Sequence, residues 1–500
     1  MHAGVAAPVA RTTSGVVQGV HVGGVHAFLG IPYAAAPVES LFMRAPQPAA
    51  SWSGIRPADR YGATAPKGAY PPQFAPLFPE TAIAGAEYLN LNIWTPDCNR
   101  SDLPVLVWIH GGSFANGSGS VPEYNGSSFA SNGVVCVTIN YRLGAEGFLY
   151  LDDGPANLGL LDQLSALRWV KENIAAFGGD PARVTVAGQS AGAMSVTTLL
   201  AMPLSQGLFH QVIVQSGAAA NTLTRDQGRL VGRQMATRLG VEPTWSEIAA
   251  CGTDRLVEIG SALVTEVQAT PDTQTWGEIA RTMLPFAPVI DGSVLTRHPL
   301  EALRAGAGAD VPMLIGTNRD EARLFLVAIE RIASIHEDEL RDVIMDYRLS
   351  AAATITYRSN RPYASPGDTL AAVITDGYYR LPAIRVAEAR EGGGSGPTWL
   401  YRFDHPETEE NAGLGACHGV EMPYVFNSIH LSGVRPRIGN VPSPRVAETT
   451  HQTWIDFIVR GQPGWPSYTR DRRLTGLIGE ALTQEDDPAG DERSLWDAVQ

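Results

Sequence analysis

The chain predicts an α/β fold in which a mostly parallel sheet is covered by helices on both faces. Three observations predict it. Short apolar runs bounded by turn residues alternate with amphipathic stretches of helical spacing over much of the length. Apolar residues make up 44% and charged residues 18% of the 500, which is ample for a large buried core and excludes global disorder. No repeat, charge block or long linker divides the chain, so one domain over residues 1–500 is expected.

The elements follow in order. Pro104 to Ile109 (PVLVWI) reads as a buried strand, and His110-Gly111-Gly112 turns the chain after it. Val134 to Tyr141 is a second buried strand. From Leu160 to Phe177 the apolar positions Leu160, Leu161, Leu164, Leu167, Val170 and Ile174 fall at helical spacing, and Gly178-Gly179-Asp180-Pro181 stops the helix. Val184 to Ala187 is a short strand, Ala191 to Met202 a compact helix ended by Pro203, and Gln211 to Gln215 a strand again. Residues 221–296 read as mainly helical, Val311 to Gly316 returns to a core strand, and 329–390 form a second helical block. The glycine-rich 391–397 loop leads to a strand at Trp399 to Phe403. Two helical insertions between core strands predict a cap over one end of the sheet.

Charge and cysteine content exclude several classes of function. The 37 basic and 51 acidic side chains give a net charge of −14, which suits neither a nucleic-acid partner nor an anionic membrane. Only Lys67 and Lys171 are lysines; the remaining basic residues are arginine, which we read as genome composition. Cys98, Cys136, Cys251 and Cys417 are too scattered for a disulfide scaffold or a CxxC metal site. Met1 to Thr13 has no basic region followed by an apolar run, and no stretch reaches membrane-span length. A soluble cytoplasmic protein is expected.

The chemistry centres on Gly188-Gln189-Ser190-Ala191-Gly192, a G-x-S-x-G pentapeptide. Chance alone gives roughly 0.3 such matches in a chain this rich in glycine and serine, so context has to carry the reading. A β-run leads in and a helix of small residues leads out, the strand–turn–helix that exposes a serine hydroxyl on a strained elbow. A serine nucleophile needs a base, and its tetrahedral intermediate needs hydrogen-bond donors. His110-Gly111-Gly112-Ser113-Phe114 follows a strand and has the form of a loop that supplies backbone N–H groups. After the Val311 strand, Asp320 and Glu321 offer adjacent carboxylates, and the residues alone do not choose between them. His418 lies on a loop of small residues, with His405, His430 and His451 as competitors. The H-E-x-x-H spacing of a zinc hydrolase is absent, and no metal is expected.

Further motifs lie in register along nearly the whole chain. They include Phe28 to Ala34, Leu89 to Pro96, Trp108 to Phe114, Asn140 to Gly144, Asn157 to Gln163, Phe177 to Pro181 and Val186 to Ser195. Gln215-Ser216-Gly217, Gly316 to Glu321, His418 to Phe426, Trp454, Phe457, Trp465-Pro466 and Asp487 to Trp496 complete them. Together they resemble the type-B carboxylesterases, the branch of the α/β-hydrolases that includes bacterial p-nitrobenzyl esterases and animal cholinesterases. The resemblance implies an α/β-hydrolase fold with a helical cap over an active-site gorge. It implies Ser190 as nucleophile, Glu321 as acid and His418 as base, with the backbone N–H groups of Gly112, Ser113 and Ala191 as oxyanion donors. Ser216 and Glu421 match positions behind that triad, and Arg142 and Asp162 match a buried ion pair. Phe114, Leu324 and Phe325 are the expected pocket residues. The implied reaction is hydrolysis of small uncharged carboxylic esters without a cofactor. Carbamates or aryl amides are the alternative substrates, and an inactive binding protein is opposed by a complete triad. Oligomeric state is not legible.

Two departures from that pattern stand out. Where the family usually has Glu-Asp-Cys, this chain reads Ala86-Glu87-Tyr88, so the cysteine of one family disulfide is missing. An arginine that often pairs with that glutamate reads Phe42. Loss of both ionic partners can be neutral, whereas loss of one costs about 3–5 kcal/mol. The path of the 67–85 loop is therefore the least determined part of the expectation.

Overall fold

In the computed structural model, which describes residues 6–269, 272–405, 411 and 413–499, the strands follow in chain order. They are β1 (Val9–Arg11), β2 (Val16–Gln18), β3 (Val20–Val22), β4 (Val25–Pro32), β5 (Ile55–Pro57), β6 (Asn90–Thr95) and β7 (Leu103–Ile109). There follow β8 (Val135–Ile139), β9 (Gly179–Gln189), β10 (Gln211–Gln215), β11 (Met313–Asn318), β12 (Thr398–Phe403), β13 (Leu474–Ile478) and β14 (Leu482–Asp486). Eleven of them form one sheet in the order β14-β13-β12-β11-β10-β9-β7-β8-β6-β4-β3, and β1, β2 and β5 form a small separate one. From β13 to β8 all neighbours are parallel; the pairings beyond them at both edges are antiparallel.

The apolar runs are continuous because both faces of the parallel strands are covered. In β7, Val105, Val107 and Ile109 enter one core while Leu106 and Trp108 enter the other. Likewise Val212 and Val214 of β10 face the first core and Ile213 the second. Helices Leu158–Asn173 and Ala191–Ala201 cover the first face; helix Pro444–Arg460, through Trp454 and Phe457, covers the second.

Several of the expected strand limits move, and two of the new starts have a clear local cause. β9 starts at Gly179, inside the stretch read as a helix stop, because Gly179 already pairs with Leu103 before a register shift. β11 starts at Met313 rather than Val311, since Val311 still donates to Gly308 in a turn and Pro312 has no N–H. Between β10 and β11 lie helices Arg225–Leu239, Trp245–Ala250, Thr253–Ala269, Thr273–Trp276, Ile279–Thr282 and Pro299–Arg304. Between β11 and β12, helix Pro366–Thr375 passes through a π-helical turn, Asp376–Arg380, into helix Leu381–Arg390. Pro382 explains the turn: it lacks an N–H, so a regular α-helical ladder cannot run through it.

Arg142 and Asp162 meet at 2.6 Å with no exposure of either side chain, and Arg142 Nε donates to the second carboxylate oxygen at 2.8 Å. The pair fixes the segment after β8 to helix Leu158–Asn173. Phe42 packs against the apolar core, Tyr88 donates to Glu146 Oε2, and all four cysteines are free. Among the described residues no helix is long and apolar enough to cross a membrane.

Candidate active site

β7, β9, β11 and β12 are parallel, so the segments leaving them emerge at one edge of the sheet, where open α/β folds bind ligands. β9 ends at Gln189, and Ser190 takes φ 56° and ψ −125° before the helix begins at Ala191. This is a conformation an L-residue adopts only when its surroundings impose it. They do so through close packing. A Cβ on Gly188 would stand 2.4 Å from the carbonyl carbon of Gly192, and one on Gly192 would stand 2.0 Å from Ile109 O. The Ser190 N–H donates to Gln215 O at 2.9 Å, which pins the elbow to β10. Ser190 itself is half-buried.

The loop after β7 is strained in the same way. Gly112, Ser113 and Phe114 have successive φ values of 112°, 55° and 57°. A run of left-handed residues turns neighbouring N–H groups toward one side, a geometry that suits an anion. Among the described residues no acceptor takes the N–H of Gly112, Ser113 or Ala191. Gly111 lies against the elbow, since a Cβ there would be 3.1 Å from Ser190 Cβ. His110 stacks on Tyr141, and burial lowers its pKa to about 3, so it stands as a neutral prop beneath the loop.

Of the two adjacent carboxylates, Glu321 is the one that reaches an imidazole. Its Oε2 lies 2.7 Å from His418 Nδ1, and its Oε1 accepts the Asn318 N–H at 2.8 Å. Glu321 is fully buried and His418 is 5% exposed. Asp320 points away: its Oδ2 pairs with Arg319 at 3.0 Å and accepts the Ala416 N–H. The competing histidines are elsewhere. His405 bonds Tyr424, His451 bonds Val425 O, and His430 is exposed. His418 Nε2 faces the Gln189 carboxamide nitrogen at 3.2 Å.

Glu421 is buried behind this pair. Asn318 links the two carboxylates, donating its side-chain amide to Glu421 Oε2 at 2.6 Å and its backbone N–H to Glu321. Burial, and then the nearby Glu321 charge, push the Glu421 pKa up to about 7. Around and below neutrality the protonated form of Glu421 is therefore favoured. Ser216 is buried nearby, and its hydroxyl has no partner among the described residues.

Of the expected pocket residues, only Phe325 reaches His418, with ring centroids 5.6 Å apart; Phe114 and Leu324 are buried in the two cores. The 67–85 loop closes over this region. Lys67 pairs with Glu80, Glu80 accepts the Gly117 N–H, and Phe74 packs on Phe325. Phe78 lies under the guanidinium of buried Arg437, which donates to Gly419 O at 2.6 Å.

Asn318, Gln189 and Tyr379 are site residues that the sequence reading missed. The Tyr379 ring packs against the His418 ring, centroids 4.9 Å apart and tilted by 40°, and the residue stands on the π-helical turn. Pro382, inside an otherwise helical stretch, was the available signal.

The chain is similar to known proteins along nearly its whole length. Residues 6–485 match the model of the carboxylesterase family. The para-nitrobenzyl esterase of Bacillus subtilis (strain 168) is 35% identical over 97% of this chain and 97% of its own length. The phenmedipham hydrolase of Pseudarthrobacter oxydans is 33% identical over 95% of each. The crystal structure of the Geobacillus stearothermophilus carboxylesterase EST55 at pH 6.2 superposes with a TM-score of 0.85 and 35% identity, covering 98% of this chain and 99% of that one. The fold is that of the α/β-hydrolases, and the chain belongs to the carboxylesterase family and is a carboxylic ester hydrolase.

Proposed function

We propose that the chain hydrolyses small uncharged carboxylic esters through an acyl-enzyme on Ser190, with His418 as base and Glu321 as its orienting acid. The observation that carries this reading is the 2.7 Å contact of Glu321 with His418 Nδ1, with Nε2 lying against the side chain of Gln189, the residue before Ser190. His418 takes the Ser190 proton as Oγ attacks the acyl carbonyl, and Glu321 stabilises the imidazolium. The N–H groups of Gly112, Ser113 and Ala191 receive the oxyanion, each donor being worth about 3–4 kcal/mol. The imidazolium protonates the leaving alcohol, and water then repeats the sequence on the acyl-enzyme. In this reading one domain spans the chain, and the 221–296 and 329–390 insertions cap the gorge; the contact of Tyr379 with His418 supports that. Phe325 and Phe74 give the entrance an apolar character suited to uncharged esters. Turnover of matched ester, carbamate and anilide substrates tests the substrate class. The ester is expected to lead, and a faster carbamate or anilide would contradict it.

Cys417, beside His418, is a packing residue in this scheme. It is fully buried, burial pushes its thiol pKa up, and its Sγ is turned toward the His418 carbonyl oxygen. Cys417→Ala is expected to change kcat/KM less than about fivefold, about 1 kcal/mol. Iodoacetamide should leave the native enzyme active. Rapid inactivation that Cys417→Ala prevents would place the thiol in the site.

A further inference from the structure

Gln189, the residue before the proposed nucleophile, makes a contact that the reaction scheme does not use. In a neutral imidazole whose Nδ1–H is given to Glu321, Nε2 carries the lone pair. The group facing that lone pair at 3.2 Å is the Gln189 amide nitrogen, a donor. The carboxamide is wedged in place and only 6% exposed. A Cβ on Gly111 would stand 3.0 Å from its Oε1, and a Cβ on Gly419 would stand 3.7 Å from its Nε2. It thus sits between the strained loop after β7 and the histidine loop.

We propose that Gln189 is a positioning residue that acts through His418, its N–H occupying Nε2 in the resting enzyme and giving way to the Ser190 hydroxyl when an ester enters. The proposal rests on the assignment of Ser190 and His418 above. The exchange is of hydrogen bonds only: N–H···Nε2 is replaced by O–H···Nε2, and the serine proton moves to Nε2 during attack. A donor on Nε2 favours the neutral ring, the form that can act as a base.

The groups facing the His418 ring are Glu321 on its Nδ1, Glu421 behind Asn318 and the Tyr379 ring, while the Cys417 thiol lies against its backbone carbonyl. Arg437 holds Gly419 O, and Asp320 holds the Ala416 N–H. Substitution at 189 leaves all of these in place and alters only the Nε2 side. Gln189→Glu exchanges the donor for a negative charge, which favours the protonated ring, so the active form is reached only at higher pH. An opposite charge at this range typically moves a titration by about 1–3 units.

The test is the pH dependence of kcat/KM with p-nitrophenyl acetate for the full-length enzyme, Gln189→Glu and Gln189→Met. The acid limb of Gln189→Glu is expected at least about one unit above that of the parent, and that of Gln189→Met within about half a unit. Gln189→Met removes the competing donor, so organophosphate inactivation at pH 7 should be about two- to fivefold faster, the worth of one neutral hydrogen bond. Coincident acid limbs in all three proteins would overturn the proposal. If Gln189→Glu does not fold, slower inactivation of Gln189→Met would overturn it instead. Mapping the organophosphate in the parent enzyme separates the two levels. A label away from Ser190 refutes the site assignment, whereas a label on Ser190 with unmoved limbs refutes only the role of Gln189.

Discussion

Ser190→Ala is expected to abolish ester hydrolysis while leaving the fold intact. The scheme gives the attacking oxygen to this one hydroxyl. Removing the serine of such a triad typically costs about 10⁶ in kcat, the remainder coming from the oxyanion donors and substrate binding. The elbow does not depend on the hydroxyl. It is held by the Ser190 N–H bond to Gln215 O and by glycines with no room for a Cβ. Alanine changes none of these, so chemical denaturation should agree with the parent to within about 0.5 kcal/mol. Residual turnover of p-nitrophenyl acetate above about 1% of the parent would contradict the role given to Ser190.

Neutralising the acid has the next largest expected effect. Glu321→Gln keeps the shape of the side chain but replaces the charge that faces His418 Nδ1 at 2.7 Å. The imidazolium formed during attack then loses its stabilising partner, and the amide can hold the ring in the wrong tautomer. Loss of a triad acid in this way typically lowers kcat by about 10⁴. Asp320→Asn should do much less, because that carboxylate pairs with Arg319 and its side chain is 26% exposed. The reverse ranking in steady-state kinetics would contradict the assignment.

Legibility in the sequence followed the physics of each element. The parallel strands were readable because burial on both faces makes them continuously apolar. The elbow was readable because sterics demand glycine on both sides of it. The antiparallel strands β3, β4, β6 and β14, outside the parallel centre, are partly short or mixed in polarity, so they gave no clear pattern. Asp320 and Glu321 are chemically equivalent neighbours; only the turn held by the Asn318 N–H decides which one points inward. Asn318 was hidden for a related reason. Its two bonds run to Cys417 O and Glu421, residues about a hundred positions away that no local pattern connects. Gln189 and His418 are separated further still, and their contact exists only once β9 and the loop after β12 meet at the same edge of the sheet.

The most direct test of the central claim is to find which residue becomes covalently modified. The native enzyme would be inactivated with a chromogenic organophosphate, the released leaving group counted, and the modified peptide sequenced by mass spectrometry. One equivalent per chain on Ser190, absent from Ser190→Ala and slowed by Glu321→Gln, is the predicted result. Stoichiometric labelling of any other residue, or labelling that persists in Ser190→Ala, would contradict the account.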